Sequence, residues 1–155
     1  SSIMQPIGID ENRLHHLLGV ARACYSYGKE IFHWEEEKSR EMFLVGFLHD
    51  VGYEFVEDPI QHEEVGGNIL KQLGFRYAQE VSSHGNPHST FTSKELFILN
   101  LADLTVSHDG TPRTMQQRLY LVIQRYGENS IQAKRLQGMI NLVQNQAKEY
   151  GYFVE

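Results

Sequence analysis

Gly46-Phe-Leu-His-Asp-Val-Gly52 decides how this chain is read. It follows directly on an apolar helical run and sets an imidazole, His49, beside a carboxylate, Asp50. At helical spacing Met42, Val45, Gly46 and His49 share one face. Gly52 suits the position just past the helix end. Such a polar pair at the buried end of a helix is costly unless a partner compensates it, and a divalent metal is the usual partner.

The same period runs outward in both directions. Toward the N-terminus, Leu14, Leu17, Leu18, Ala21 and Tyr25 recur at spacings of three and four, with Gly28 as the expected stop. Beyond the quoted stretch a helix is predicted to begin near His62, carry Val65, Ile69 and Leu73 inward, and end at Gly74. A short helix with Tyr77, Val81 and His84 on one face follows, then a loop at Gly85-Asn-Pro-His88 marked by its breakers. The next helix places Leu96, Leu99, Asp103 and Val106 together, and Asp109-Gly-Thr-Pro112 reads as a turn. Two further helices are predicted, about Met115 to Tyr126 and Ser130 to Tyr150. The last carries Leu136, Met139, Ile140, Val143 and Ala147 on one stripe. No segment alternates apolar and polar residues long enough for a strand, and there is no repeat or linker. The prediction is one all-α domain over residues 1–155, a bundle of six to seven helices with its core at about 11–108 and C-terminal helices over 112–150.

Composition narrows the function classes. A chain of 155 residues is one domain by default, and 41% hydrophobic with 22% charged residues is ordinary for a globular protein. No run of about 18 apolar residues is present, so no membrane span is expected. The start, Ser1-Ser-Ile-Met-Gln-Pro6, lacks the pattern of a secretion signal. A net charge of −6 with no basic stripe argues against binding duplex nucleic acid. It leaves room for a small phosphorylated substrate, because a bound metal supplies local positive charge. Cys24 has no second cysteine to pair with, and a cytoplasmic location is expected.

The predicted faces bring further donors to the interior. His16 lies with Val20 and Ala23, His62 with Val65 and Ile69, His84 with Val81, and Asp103 with Leu96 and Leu99. Five helices thus each aim at least one ligand-type side chain inward. Four neutral imidazoles cannot neutralise two carboxylates, which leaves a buried charge to be compensated. Imidazole and carboxylate together suit iron, manganese, zinc and similar ions. Cys24 alone cannot build a structural zinc knot. His62-Glu-Glu-Val-Gly66 lacks a second histidine four residues on and is not the zinc-protease motif.

Arg13-Leu-His-His16-Leu-Leu-Gly-Val20, Phe47-Leu-His-Asp50-Val-Gly52 and Leu101-Ala-Asp103, in this order on predicted helices, resemble the HD superfamily of metal-dependent phosphohydrolases. His62-Glu-Glu-Val-Gly-Gly67 and Ser83-His84 stand where binuclear HD proteins carry two more histidines. In this the chain is similar to the branch that hydrolyses dinucleoside tetraphosphates and to related HD hydrolases. The resemblance implies a helical bundle around a buried site holding two divalent ions, most often iron, with Mn, Zn, Ni, Mg or Co as alternatives. It implies His16, His49, Asp50 and Asp103 at one ion, and His62 and His84 joining a bridging Asp50 at the other. Outer support of a single-ion site is the other reading of His62 and His84. Asp50 and His49 are the expected catalytic pair.

The activity implied is hydrolysis of a nucleotide or other small phosphate ester, as phosphomonoesterase, phosphodiesterase or dinucleoside polyphosphate hydrolase. Attack by a metal-bound hydroxide fits, since a metal lowers the pKa of water from about 15.7 toward about 7. No serine or cysteine nucleophile is required, and no nucleophile elbow is present. Two departures matter. Tyr53-Glu54 follow Gly52 where many HD proteins place a lysine, and the stretch after Asp103 differs from the tetraphosphate hydrolases. A nucleotide-binding regulatory module that keeps the metal without turnover is the alternative.

Arg113, Arg118 and His88 are candidate substrate contacts, since guanidinium forks match phosphate oxygens. Arg13 and Lys38 are lesser candidates, and Asn86 belongs with His88. His15 points about 100° away from His16 and falls at the rim. His33 and His108 are expected to be exposed, and Glu35 to Glu37 a solvated helix face. Phe32, Trp34 and the Tyr150-Gly-Tyr-Phe153 tail are read as core packing or a homo-oligomer contact.

Overall fold

The computed structural model describes residues 11–50, 68, 70, 71 and 74–154. Among these, six helices are defined: α1 (Glu11–Phe32), α2 (Glu36–Leu48), α3 (Ala78–Ser83), α4 (Lys94–Leu104), α5 (Met115–Tyr126) and α6 (Ile131–Glu149). No strand occurs among the described residues; the isolated bridge Val106–Pro112 closes the turn between α4 and α5. The all-α bundle expected from the sequence is thus the observed fold.

Helix α4 is the axis of the packing, touching α1, α2, α3 and α6. Leu96 through Ala102 are all buried, including Asn100. A helix apolar on every side belongs in the middle of a domain rather than at its surface. Ser93 caps its start by accepting the Leu96 N–H. Asn100 satisfies its buried side chain by accepting the Gly85 N–H at 3.0 Å, which ties the turn after α3 to α4.

Helices α1 and α2 lie in close contact because Gly46 lets them. A Cβ on Gly46 would stand 2.7 Å from Ala21 Cα and 2.8 Å from the Val20 carbonyl oxygen. The buried face of α1 is Leu17, Val20, Ala21, Cys24 and Gly28. The stripe expected through Leu14, Leu18 and Tyr25 is therefore rotated: Leu14 is exposed, and Tyr25 donates its hydroxyl to Glu36. Gly28 does not stop the helix. The Trp34 ring occupies the space its side chain would fill, with Cε3 2.4 Å from an ideal Cβ. The stop lies at His33, whose positive φ of 57° turns the chain back so that the Trp34 N–H reaches the Gly28 carbonyl at 3.3 Å.

The predicted helix from His62 falls mostly outside the described residues, as do Gly52, Tyr53, Val65, Ile69 and Leu73. At its expected end, Gly74 has φ 77°; the Gly74 and Phe75 N–H groups reach the Lys71 and Leu70 carbonyls at 3.0 and 2.8 Å. That is the two-bond pattern of a glycine-terminated helix. Helix α4 ends at Leu104, so Val106 reaches the core from the following turn. The C-terminal helices begin and end where the sequence pattern places them. Thr114 forms a reciprocal capping box with Gln117, and Ser130 caps α6 through the Ala133 N–H. Tyr150 packs its ring 4.9 Å from Phe32 and 5.1 Å from Phe97, so this part of the tail is core.

Candidate metal centre

Five of the six expected ligands converge; His62 lies outside the described residues. His16 comes from the first half of α1, His49 and Asp50 from the end of α2, His84 from the end of α3, and Asp103 from the last turn of α4. Their ligand atoms form two overlapping groups, His16–His49–Asp103 and His49–Asp50–His84, with every atom of a group within 4.8 Å of the others.

Each imidazole is held the same way. His16 Nδ1 lies 2.9 Å from the Ser107 carbonyl, His49 Nδ1 2.6 Å from the Gly46 carbonyl, and His84 Nδ1 2.5 Å from the Val81 carbonyl. A carbonyl oxygen only accepts, so all three Nδ1 atoms carry the hydrogen. All three Nε2 atoms then face the carboxylates. His16 Nε2 is 3.2 Å from Asp103 Oδ1 and 3.6 Å from Asp50 Oδ2; His49 Nε2 is 3.1 Å from Asp50 Oδ2 and 3.3 Å from Asp103 Oδ1. His84 Nε2 is 3.5 Å from Asp50 Oδ1. Asp50 thus turns one oxygen to His16 and His49 and the other to His84.

This donor set fits a cation. His49 Nε2 is buried and, despite its two close carboxylates, makes no well-aligned hydrogen bond. Two ligands each about 2.1 Å from a metal and about 90–110° apart lie about 3.0–3.4 Å from one another. The observed separations fall around that range. A histidine that ligates through one nitrogen and donates from the other to a backbone carbonyl is the usual arrangement at metal sites.

Without a metal, protons take the compensating role. Burial works against a charged His49, but the Asp50 and Asp103 carboxylates outweigh it and hold the imidazole pKa well above its ordinary value. Burial likewise opposes ionisation of Asp103, yet His49 and His16 keep its carboxyl well below the usual range.

A cleft of about 620 Å³ opens onto this cluster. His16, Asp50, His84 and Asp103 form one side of it, and Arg13, Arg118 and Arg135 stand on its walls. Further lining comes from α5 and α6, with Val122, Tyr126, Leu136 and Met139. Arg118 is at the cleft, but it also donates to the main-chain carbonyl of Asp103. Arg113 lies elsewhere, lining a separate cavity of about 420 Å³ with Tyr27, Thr105 and Tyr152. His88 is exposed, its N–H bonded to the Asn86 side chain, and it does not line the cleft. Lys38 is engaged with Glu95 at 2.6 Å, away from the cluster. Sequence reasoning missed Arg135, which lines the cleft; His108 is exposed, as expected, and lines it too. Arg135 sits on a polar helix face with no local motif to single it out.

An all-helical bundle that gathers histidines and aspartates from four helices behind an arginine-lined cleft defines a class of metal-site protein. The family model for the HD domain matches residues 13–107, and the chain belongs to that family. HD domains are generally metal-dependent hydrolases and imply a divalent metal. No curated protein and no solved structure gave a match. Among the described residues, no helix is long and apolar enough to cross a membrane.

Proposed function

We propose that this chain is a phosphohydrolase of small phosphate esters, with a nucleotide as substrate and a pair of divalent ions, iron foremost, at His16, His49, Asp50, His62, His84 and Asp103. The observation that carries this reading is the cleft. In a chain of net charge −6, three guanidinium groups, Arg13, Arg118 and Arg135, stand around the opening onto Asp50 and Asp103. Guanidinium forks match phosphate oxygens in geometry and charge.

A divalent ion there supplies water activated at neutral pH and positive charge for the phosphoryl oxygens. The chain's own residues do the rest. The Nδ1–H bonds to Ser107, Gly46 and Val81 fix the rings so that their Nε2 atoms face Asp50 and Asp103. Asp50 faces both groups of donors through its two oxygens, which supports a bridging role. The arginines attract and orient the anionic end of the ester. The wall of Val122, Tyr126, Leu136 and Met139 receives the organic end and keeps water from it. The cleft has the size of a site for a whole small molecule rather than for phosphate alone.

The test is phosphate release from a panel of nucleoside mono-, tri- and dinucleoside polyphosphates by protein loaded with iron or manganese. Wild-type protein is expected to release phosphate, and Asp50→Ala to lose both the metal and the activity. A metal-loaded wild type inert on the whole panel refutes the hydrolase reading in favour of a nucleotide-sensing module. A folded, metal-free Asp50→Ala protein with wild-type turnover refutes the metal mechanism.

A further inference from the structure

Behind each ligand aspartate stands an arginine. Arg13 Nη2 donates to the main-chain carbonyl of Asp50 at 3.4 Å, and Arg118 Nη1 donates to the main-chain carbonyl of Asp103 at 2.5 Å and reaches that of Val106 at 3.5 Å. The last carbonyls of a helix have no partner within it. At the end of α4, the Thr105 N–H and hydroxyl take the carbonyls of Ala102 and Leu101, at 3.2 and 2.9 Å, and Arg118 takes that of Asp103. The Asp103 peptide is thus pinned from α5, a helix outside the matched segment 13–107. The same region holds His16, whose Nδ1–H goes to the Ser107 carbonyl in the turn between α4 and α5.

We infer that Arg13 and Arg118 are positioning residues that set Asp50 and Asp103 for the metal, so that helix α5 is a working part of the metal centre. The inference rests on the metal reading above. A planar guanidinium bonded to a main-chain carbonyl limits rotation of the peptide that carries the ligand. A shift of a few tenths of an ångström in either aspartate would separate its oxygens from the imidazoles they face at 3.1 to 3.6 Å. Outer partners of metal ligands typically set affinity by 10–100-fold.

Manganese titration of the full chain by calorimetry tests it. Arg118→Met is expected to bind Mn²⁺ about 10–100-fold more weakly than wild type. Arg118→Lys, which keeps the charge but loses the fork, is expected to fall between them. Arg125→Met, a change of the same kind on the same helix at an exposed position over the Tyr126 ring, is expected to keep wild-type Mn²⁺ affinity. Arg13→Met supplies an independent arm, again with weakened binding, should Arg118→Met fail to fold. A purely structural cap would lower the unfolding midpoint and leave Mn²⁺ affinity untouched; that result, in either Arg118 variant or in Arg13→Met, overturns the inference. Wild-type protein that takes up no Mn²⁺ overturns the metal reading and this inference with it.

Discussion

Replacing Gly46 by alanine separates two opposite expectations. In an open helix interior the change stabilises by about 1 kcal/mol through helix propensity. Here the new Cβ would meet Ala21 Cα at 2.7 Å, the Val20 carbonyl oxygen at 2.8 Å and Ala21 N at 2.9 Å. All three are backbone atoms inside α1 and cannot rotate away. Ordinary contact begins at 3.4 Å, so the helices must part by about 0.5–0.7 Å. Overpacking of this kind costs about 1–3 kcal/mol. With three backbone atoms in the way the cost lies at the upper end, about 2–3 kcal/mol, so after the propensity gain the net loss is about 1–2 kcal/mol, or about 2–8 °C in unfolding midpoint for a chain of this size. The shift also reaches the site, because the Gly46 carbonyl holds the His49 ring and functional geometry tolerates only about 0.5 Å. Scanning calorimetry of metal-free and Mn²⁺-loaded protein is the assay. A midpoint at or above wild type, with unchanged metal-induced stabilisation, refutes the close contact and the coupling drawn from it.

His84→Gln removes one imidazole from the His49–Asp50–His84 group and leaves the His16–His49–Asp103 group whole. Bound metal measured by elemental analysis is expected to fall from two ions per chain to about one; equal content in variant and wild type contradicts a pair of ions. Glu95→Gln breaks the partly buried pair with Lys38, at a cost of about 1 kcal/mol at pH 7. Burial works against the Glu95 carboxylate, but the Lys38 hydrogen bond helps hold its pKa below the ordinary 4.5. A depressed folded-state value means the contribution is complete above the unfolded pKa and fades as pH falls through the folded one. Denaturant curves of variant and wild type are therefore expected to differ at pH 7 and converge below pH 4.5; a constant difference across that range contradicts the pair.

Most of the helices were legible because their signals are local. Thr114 with Gln117 and Ser130 before a 3.6-residue stripe announce α5 and α6 without help from the rest of the chain. Met42, Val45, Gly46 and His49 announce their shared face, and all four are buried. The convergence of His16, His49, Asp50, His84 and Asp103 followed from those faces and from the resemblance in their order. What failed depended on tertiary partners. Gly28 looks like a stop until Trp34 is seen filling its missing side chain. The face of α1 is set by where α2 approaches, and Leu14 and Tyr25 fit the helical period without facing it. Arg135, and the split between Arg118 at the cleft and Arg113 outside it, depend on how α5 and α6 lie against the helices before them, which no local pattern encodes.

Trp34 is the chain's one tryptophan, wedged against Gly28, 5.1 Å from the Phe32 ring and under the Lys38 ammonium at 4.8 Å. From Gly28, which the ring covers, back to His16 along α1 is about 18 Å at 1.5 Å per residue. Nature has therefore built a fluorophore several helical turns away from the histidine donor of α1. Its emission follows the loosening of that aromatic nest as the protein unfolds, while paramagnetic quenchers loaded near His16 sit too far away for contact quenching.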